Sequence, residues 1–460
     1  MSNIDPLIFR AYDIRGKAGS QITEEGCHLI GKAFGSILRE KYRIENPTVA
    51  VGRDMRTHSP DFEKAVVQGL VESGCTVLKI GQTPSPINYF TICAQNLDAG
   101  VQVTASHNPA EDNGLKLQIR EAEAFCGDDL QALRKCIEAG GFLEGEGSVE
   151  EIDAVTAYKN YLVEMFEGIG NGLDVVVDYG NGVSGPSYND IFKSIGCAVT
   201  QLYAEPDGTF PNHPADPSKW ETLKDLQETV KENQAHLGIA FDGDGDRVGF
   251  VDENGEIKTA DDILLLLAED HLKRHSGASI CFTVSNSSTL QTEIKKWGGK
   301  PVMCIVGHSF VEHEMKERNS LLGGEQSGHF FCFEDYYKFD DALVAALHVL
   351  KILSESGKPF SNLFADFPKV FQAPEFRPNC PDEHKTRIVQ EITEYFQKDY
   401  PVNTLDGARI DFGDGAWAGI RQSNTSPKLS ICMEARSEEK LREIEEMLRT
   451  HLKNYPEIGL

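Results

Sequence analysis

The chain has 460 residues, with 45 Lys and Arg against 72 Asp and Glu, a formal net charge of −27. A surface this acidic repels nucleic acid and anionic membranes, which excludes both as partners and leaves any anionic ligand dependent on a local concentration of basic residues. The length predicts three or four domains; the 11 cysteines lack CxxC or metal-ligand spacing and read as reduced core residues, and a polar N-terminus without any bilayer-length apolar run makes the cytoplasm the expected location.

Residues 7–16 read LIFRAYDIRG, with Arg10 and Arg15 bracketing Tyr12 and Asp13. Two arginines so close together suit an anion, or a surface ion pair. An amphipathic helix is predicted over 24–39. One pattern then occurs three times. It runs strand 48–51, turn Gly52-Arg53-Asp54, helix 59–73, Gly74, strand 76–80. It returns as strand 174–177, glycine-rich turn 179–185, helix 186–195, Gly196, strand 198–203. It returns again as strand 279–284, polar turn 285–288, helix 289–297, Gly298-Gly299, strand 301–306. Glycine stands each time where the helix must stop. The recurrence predicts three similar α/β domains. The tail differs: strands 408–412, 416–421 and 428–434 precede an amphipathic helix over 438–452, the pattern of an α+β domain. With linkers expected near Gly145-Glu146-Gly147 and Phe367-Pro368, the fold class is α/β. It comprises mixed α/β domains over 1–150, 151–255 and 256–367, and an α+β domain over 368–460.

Residues 101–116 read VQVTASHNPAEDNGLK. An apolar run ends in a polar turn presenting Ser106 and His107, and Asn108-Pro109 delays any helix. A serine on such a turn is expected to be exposed and held by the sheet behind it, which suits a nucleophile or phosphoryl carrier. The same residues also suit a turn whose side chains cap its own backbone. G-x-S-x-G is absent, so this is not the nucleophile elbow of an α/β-hydrolase.

Residues 237–252 read LGIAFDGDGDRVGFVD. Glycines between Asp242, Asp244 and Asp246 let three carboxylates converge. Three converging carboxylates repel unless a hard cation lies among them. An EF-hand is excluded, because Arg247 stands at its glycine position and strands flank the loop. Mg²⁺ is the expected ion, since three carboxylates leave room for water and a phosphate oxygen. Arg247 beside the loop suits a phosphoryl group bound there.

Residues 322–329 read LGGEQSGH. Glu325, Ser327 and His329 on a glycine-rich turn, expected to be exposed, suit paired sugar hydroxyls, or a plain hinge loop. Gly307-His308 is a weaker case of the same kind. Residues 421–427 read RQSNTSP, where Arg421, Ser423, Asn424 and Thr425 form a candidate anion nest. Together these loops suit a cleft that holds a phosphorylated sugar. A hexose 1-phosphate cannot pass its phosphoryl group directly to its own O6 at the far end of the ring. A serine carrier solves this by forming a bisphosphate that turns end over end.

The motifs FRAYDIRG (9–16), TASHNP (104–109), DGDGDR (242–247), GEQSGH (324–329) and RQSNTSP (421–427) resemble those of the α-D-phosphohexomutase superfamily, and within it the bacterial phosphomannomutase/phosphoglucomutase branch. The resemblance spans essentially the whole chain. It implies four domains around a central cleft and the interconversion of hexose 1-phosphate and 6-phosphate through a phosphoserine and a 1,6-bisphosphate. By motif, Ser106 is the implied phosphoserine, and Ser106 with Asp242, Asp244 and Asp246 the implied Mg²⁺ site. Arg247 and His107 lie at the reacting end. Tyr12, His308, Glu325, Ser327 and His329 are implied sugar contacts, and Arg421, Ser423, Asn424 and Thr425 the distal phosphate contacts. Arg15 and Lys116 are implied proton-handling and charge-balancing residues; Lys116 is favoured as the proton carrier because arginine hardly loses its proton. The implied partners are phosphorylated hexoses, with hexose 1,6-bisphosphate as activator and the chain a monomer.

Two stretches depart from that branch. Thr283-Val284-Ser285 stands where relatives often end in Lys, and Ile305-Val306 precedes Gly307-His308 where a Lys is common. Gln326 replaces a frequent Met, and GEQSGH also occurs in phosphoglucosamine mutases, although their GTDGIRG-type start and SGTEP ending are absent. Phosphoglucosamine mutase is therefore the alternative substrate reading. A sugar-phosphate-binding protein without turnover and a metal-dependent phosphatase are the other classes.

Overall fold

A computed structural model describes residues 4–423 and 426–459. They form two compact units, one running to Ala260 and including Ser327–Leu363, the other comprising Asp261–Gln326 and the chain from Phe364 onward.

The first unit contains two sheets. In one, parallel strands Thr48–Arg53, Thr76–Gln82 and Ala99–Val103 carry Ser148–Glu151 at one edge, while Asp112–Ile119 and Ile14–Lys17 add antiparallel on the other side. Gly52 and Arg53, expected in a turn, continue their strand because Gly81-Gln82 and Gln102-Val103 extend the ladder on both sides. The second sheet places Asp174–Asp178 between Ala198–Leu202 and Leu237–Phe241, all parallel. Val248–Asp252 then returns antiparallel to Leu237–Phe241 as a hairpin. In the second unit, Ser279–Thr283 lies parallel between Lys300–Cys304 and Leu322–Gly324.

The three predicted repeats therefore form, and their helices end alike. Gly74, Gly196 and Gly298 all have φ near +80 to +100°, at +90, +104 and +79°. Each donates its N–H to the carbonyl three residues back: Val71, Lys193 and Lys295 respectively. The following N–H groups of Cys75, Cys197 and Gly299 reach Leu70, Phe192 and Ile294. This is one Schellman closure used three times; it satisfies the last carbonyls and needs a residue without Cβ at the left-handed position.

The C-terminal sheet is antiparallel throughout, in the order Phe371–Phe376, Leu429–Ala435, Ala416–Gln422, Ala408–Gly413, Val402–Asn403. Helices Asp382–Phe396 and Glu438–Leu452 bury Ile388, Ile392, Ile444, Leu448 and Leu452 in its core. Leu441 and Met447 of the predicted apolar stripe are only partly buried. The architecture is thus three similar α/β domains and a C-terminal domain. Eight of the 11 cysteines are buried and three partly so, all as free thiols. Among the described residues no helix is long and apolar enough to cross a membrane.

Candidate active site

Strand Ala99–Val103 is buried along its whole length and delivers the chain to the serine turn. Ser106 adopts φ +51°, and its N–H is held by Thr104 Oγ1 at 2.8 Å. The expected exposure is not found: Ser106 is 1 % exposed. The reason is the aspartate loop. Ser106 Oγ donates to Asp242 Oδ2 at 2.7 Å, and the backbone at Gly243 approaches so closely that an added Cβ would lie 2.5 Å from the Ser106 carbonyl oxygen. The serine and the aspartates belong to different sheets of the same unit and meet where their strands end.

The hairpin Leu237–Phe241/Val248–Asp252 carries Asp242, Asp244 and Asp246 at its tip, all fully buried. One carboxylate oxygen from each lies within 4.8 Å of the others, an acidic group able to hold a metal ion. Asp242 Oδ1 also accepts the N–H groups of Asp246 and Arg247, both at 3.1 Å, which curls the loop around it. Ser85 Oγ donates to Asp244 Oδ2 at 2.6 Å. Lys116 Nζ donates to Asp244 Oδ2 at 2.7 Å and also to Asp246 Oδ2.

Asp244 Oδ1 and Asp246 Oδ1 remain buried without a hydrogen-bond partner. Orphaned buried carboxylate oxygens are costly, and oxygen-only donors match a hard divalent cation. The residues therefore fit Mg²⁺. The electrostatics agree: burial, then Asp246 and Asp244, push the Asp242 carboxyl well above its usual range. For Lys116, burial alone would lower the pKa, but Asp244 and Asp246 outweigh it and raise it well above the usual lysine value.

Around this centre the unit gathers further candidates. Arg15 is buried rather than in a surface ion pair. Its Nε donates to Asp13 Oδ2 at 2.6 Å and its Nη1 to Ala105 O and Asn108 Oδ1, each at 3.3 Å. Tyr12 is half-buried in the preceding turn. His107 Nδ1 lies 3.3 Å from Ser106 Oγ, and burial, helped by Arg247, holds the His107 pKa well below the usual value. Arg247 Nε donates to His329 Nε2 at 2.9 Å, and His329 Nδ1 faces Asp340 Oδ2 at 2.7 Å. Because a guanidinium only donates, Nε2 is the acceptor and the ring proton sits on Nδ1. Ser327, in the same unit, is partly exposed.

Other candidates lie in the second unit. Glu325 is 3 % exposed, not on an open turn as expected, because its Oε1 accepts the Gly307 N–H at 2.8 Å. His308 follows as the first residue of helix His308–Arg318 and is buried. Ser423 is buried next to Arg421, whose Nη1 donates to Gln422 O at 3.1 Å. Asn424 and Thr425 lie outside the described residues.

Sequence reasoning missed several members of these sites. Ser85 and Asp340 carry no motif signal. Asp216 had one, in the compact turn Asp216-Pro217-Ser218-Lys219. Although burial works against it, His107 and Arg247 hold its carboxyl well below the usual range. In the second unit, Arg377 Nη2 donates to Ser423 Oγ at 2.9 Å, and Lys385 Nζ to the Ser423 and Ser426 carbonyls at 2.9 and 3.2 Å. These add two cations to the predicted anion nest.

Comparison with known proteins agrees with this chemistry. Profiles for phosphoglucomutase/phosphomannomutase alpha/beta/alpha domains I, II and III match residues 6–144, 152–255 and 259–371, and the profile of the C-terminal domain matches 375–451. A phosphomannomutase/phosphoglucomutase of Pseudomonas aeruginosa is 41 % identical over 447 residues, covering 97 % of this chain and 95 % of that protein. A phosphoglucomutase of Neisseria gonorrhoeae is 35 % identical over 463 residues, covering 100 % and 99 %. The crystal structure of a phosphoglucomutase/phosphomannomutase family protein from Burkholderia thailandensis superposes with a TM-score of 0.90 at 34 % identity, covering 99 % of each chain. The chain belongs to the phosphoglucomutase/phosphomannomutase family and is a phosphohexomutase.

Proposed function

We propose that the enzyme interconverts the 1-phosphates and 6-phosphates of glucose and mannose, with Ser106 as the phosphoryl carrier. The observation that carries this reading is the 2.7 Å contact of Ser106 Oγ with Asp242 in a cluster of three buried aspartates with two orphaned oxygens. Asp242, Asp244, Asp246 and the phosphorylated Ser106 would hold Mg²⁺. When bound, the ion supplies charge neutralisation at the transferring group.

In the first half-reaction the free hydroxyl of the hexose phosphate attacks the phosphorus on Ser106. The bond from phosphorus to Ser106 Oγ breaks, the hydroxyl proton leaves, and hexose 1,6-bisphosphate forms. After the bisphosphate turns over, Ser106 Oγ attacks the other phosphorus, and the sugar oxygen released takes up a proton. Lys116 is the proposed proton handler in preference to Arg15, whose guanidinium hardly loses its proton. Arg247, oriented by His329, and Arg15 place positive charge beside the carrier. His107 flanks Ser106. Glu325, Ser327, His308 and Tyr12 would hold the sugar, and the 421–427 loop the non-reacting phosphate. A trace of hexose 1,6-bisphosphate would load Ser106. The proposed domains are 1–150, 151–255, 256–367 and 368–460, in a cytoplasmic monomer.

Initial rates with glucose 1-phosphate, mannose 1-phosphate and glucosamine 1-phosphate, each with Mg²⁺ and a trace of hexose 1,6-bisphosphate, test the reading. Fast turnover of the first two without free phosphate supports it. Preference for the amino sugar would select phosphoglucosamine mutase, and release of phosphate a phosphatase. Turnover by Ser106→Ala would overturn the carrier assignment.

A further inference from the structure

Arg56 is 0 % exposed and was not singled out by any motif. Its guanidinium lies beneath the serine turn. Nε donates to Asp54 Oδ2 at 3.0 Å, Nη1 to Pro109 O at 2.5 Å and Asp112 O at 3.0 Å, and Nη2 to Ser106 O at 2.7 Å and Asn108 O at 2.6 Å. Guanidinium has five N–H donors, and all five are thus engaged. Four carbonyls from a seven-residue stretch converge on one planar cation.

The cation is itself held from behind. Asp54 Oδ1 accepts the Arg56 N–H at 3.0 Å and Ser59 Oγ–H at 2.5 Å, and Ser59 Oγ accepts Asn113 Nδ2 at 3.0 Å. Asp54 N–H donates to Val103 O at 2.9 Å, which ties the support to the sheet strand that delivers Ser106. The Phe210 ring covers the guanidinium, its centroid 5.2 Å from Cζ.

We infer that Arg56 is a positioning residue for the phosphoryl carrier, fixing the backbone of the 106–112 turn so that Ser106 Oγ keeps one attack geometry in both half-reactions. The inference rests on the carrier role of Ser106. Arg56 has no donor left for a phosphoryl oxygen, so it is not a substrate ligand. Its role follows from the load on the turn. Ser106 gains and loses a group of roughly −1.5 to −2 charge in each cycle. A polar loop carrying an alternating charge relaxes unless its carbonyls are tied internally. Arg56 ties the Ser106 carbonyl directly, while Thr104 ties the Ser106 N–H. Lysine cannot replace it, having three donors and no planar fork.

The test compares Arg56→Lys, Asp54→Asn and Ser106→Ala with wild type at a temperature where each is folded by circular dichroism. Readouts are kcat, KM for glucose 1-phosphate, and the single-turnover rate of labelled phosphoryl transfer from glucose 1,6-bisphosphate to Ser106. Arg56→Lys is expected to lower kcat and the transfer rate together by about 100-fold, the size of effect a misplacement near 1 Å produces, with KM little changed. Asp54→Asn, which leaves the guanidinium in place without its counter-charge, should show a smaller loss of the same kind. It decides the matter if Arg56→Lys does not fold. In Arg56→Ala, millimolar guanidinium should restore part of the transfer rate, and ethylammonium should not. Unchanged kcat in the folded Arg56→Lys or Asp54→Asn protein, or a rise in KM alone, would overturn the inference. Turnover by Ser106→Ala would instead overturn the carrier reading itself.

Discussion

Asp261 is a buried carboxylate whose charge is poorly compensated by its surroundings. It lies at the start of helix Ala260–Arg274 and accepts Asn286 Nδ2 at 2.8 Å and Gln372 Nε2 at 2.9 Å. The same Gln372 nitrogen donates to Glu434 Oε2 at 3.1 Å, so two carboxylates share one amide. Glu434 Oε1 also accepts Ser288 N–H and Oγ–H at 3.0 and 2.6 Å and Trp417 Nε1–H at 3.2 Å. The nearby cation is Arg409, whose Nη1 is committed to the Val284 and Asn286 carbonyls and whose guanidinium stacks 3.5 Å from the Trp417 ring centre. Burial, and then Glu434, lift the Asp261 carboxyl from 3.8 to about 6.

That shift corresponds to about 3 kcal/mol. Its sign follows from proton binding. The folded protein holds the Asp261 proton more tightly than the unfolded chain, so this stabilisation is complete below the unfolded value of 3.8 and is lost as pH rises through about 6. Asp261→Asn carries no such titration. The difference in unfolding free energy, wild type minus variant, should therefore fall by about 3 kcal/mol between about pH 3 and about pH 7. Subtracting the variant removes the other titrating groups. A chain of several domains need not unfold in one step, so the measurement is urea-dependent hydrogen exchange of peptides covering 408–435 at each pH. A difference that is flat with pH, or that rises with it, would refute the reasoning.

Chelation by EDTA should abolish turnover and added Mg²⁺ restore it, while Asp244→Asn should raise the Mg²⁺ needed for half-maximal rate on the order of tenfold or more. Asp340→Ala removes the acceptor that keeps the His329 proton on Nδ1, so Nε2 no longer reliably accepts from Arg247. Steady-state rates should show kcat reduced about 10–100-fold, the usual effect of losing a supporting carboxylate behind a histidine. Gly243→Ala places a methyl 2.5 Å from the Ser106 carbonyl, so the serine turn must move. A kcat loss of about 100-fold is expected, with thermal unfolding showing whether the chain remains folded.

Much of the fold was legible because it is local. Helix ends at Gly74, Gly196 and Gly298 depend on one left-handed residue, and a glycine in sequence reports it directly. The aspartate loop was legible for the same reason, since its three carboxylates and their turn lie within one hairpin tip. The tail was recognisable as a different kind of domain from strand spacing and one helical stripe, and its antiparallel sheet follows that reading. Strand ends were misjudged where a ladder partner, not the strand's own residues, decided how far pairing runs, as at Gly52-Arg53.

The identity of the chemical groups and their local loops was therefore determined by the sequence alone. Their environment was decided by tertiary structure. Ser106 and Asp242 are 136 positions apart, and Lys116 and Asp244 are 128 apart. Only the meeting of strand ends from two sheets buries the serine that its turn alone suggested was exposed. The same meeting sets Lys116 between two carboxylates, and other contacts distant in sequence give Arg247 a histidine acceptor and gather four carbonyls onto Arg56. Periodicity and turn chemistry act over a few residues, whereas burial and pairing depend on which distant segments pack together, and those set the charge states on which the phosphoryl chemistry depends.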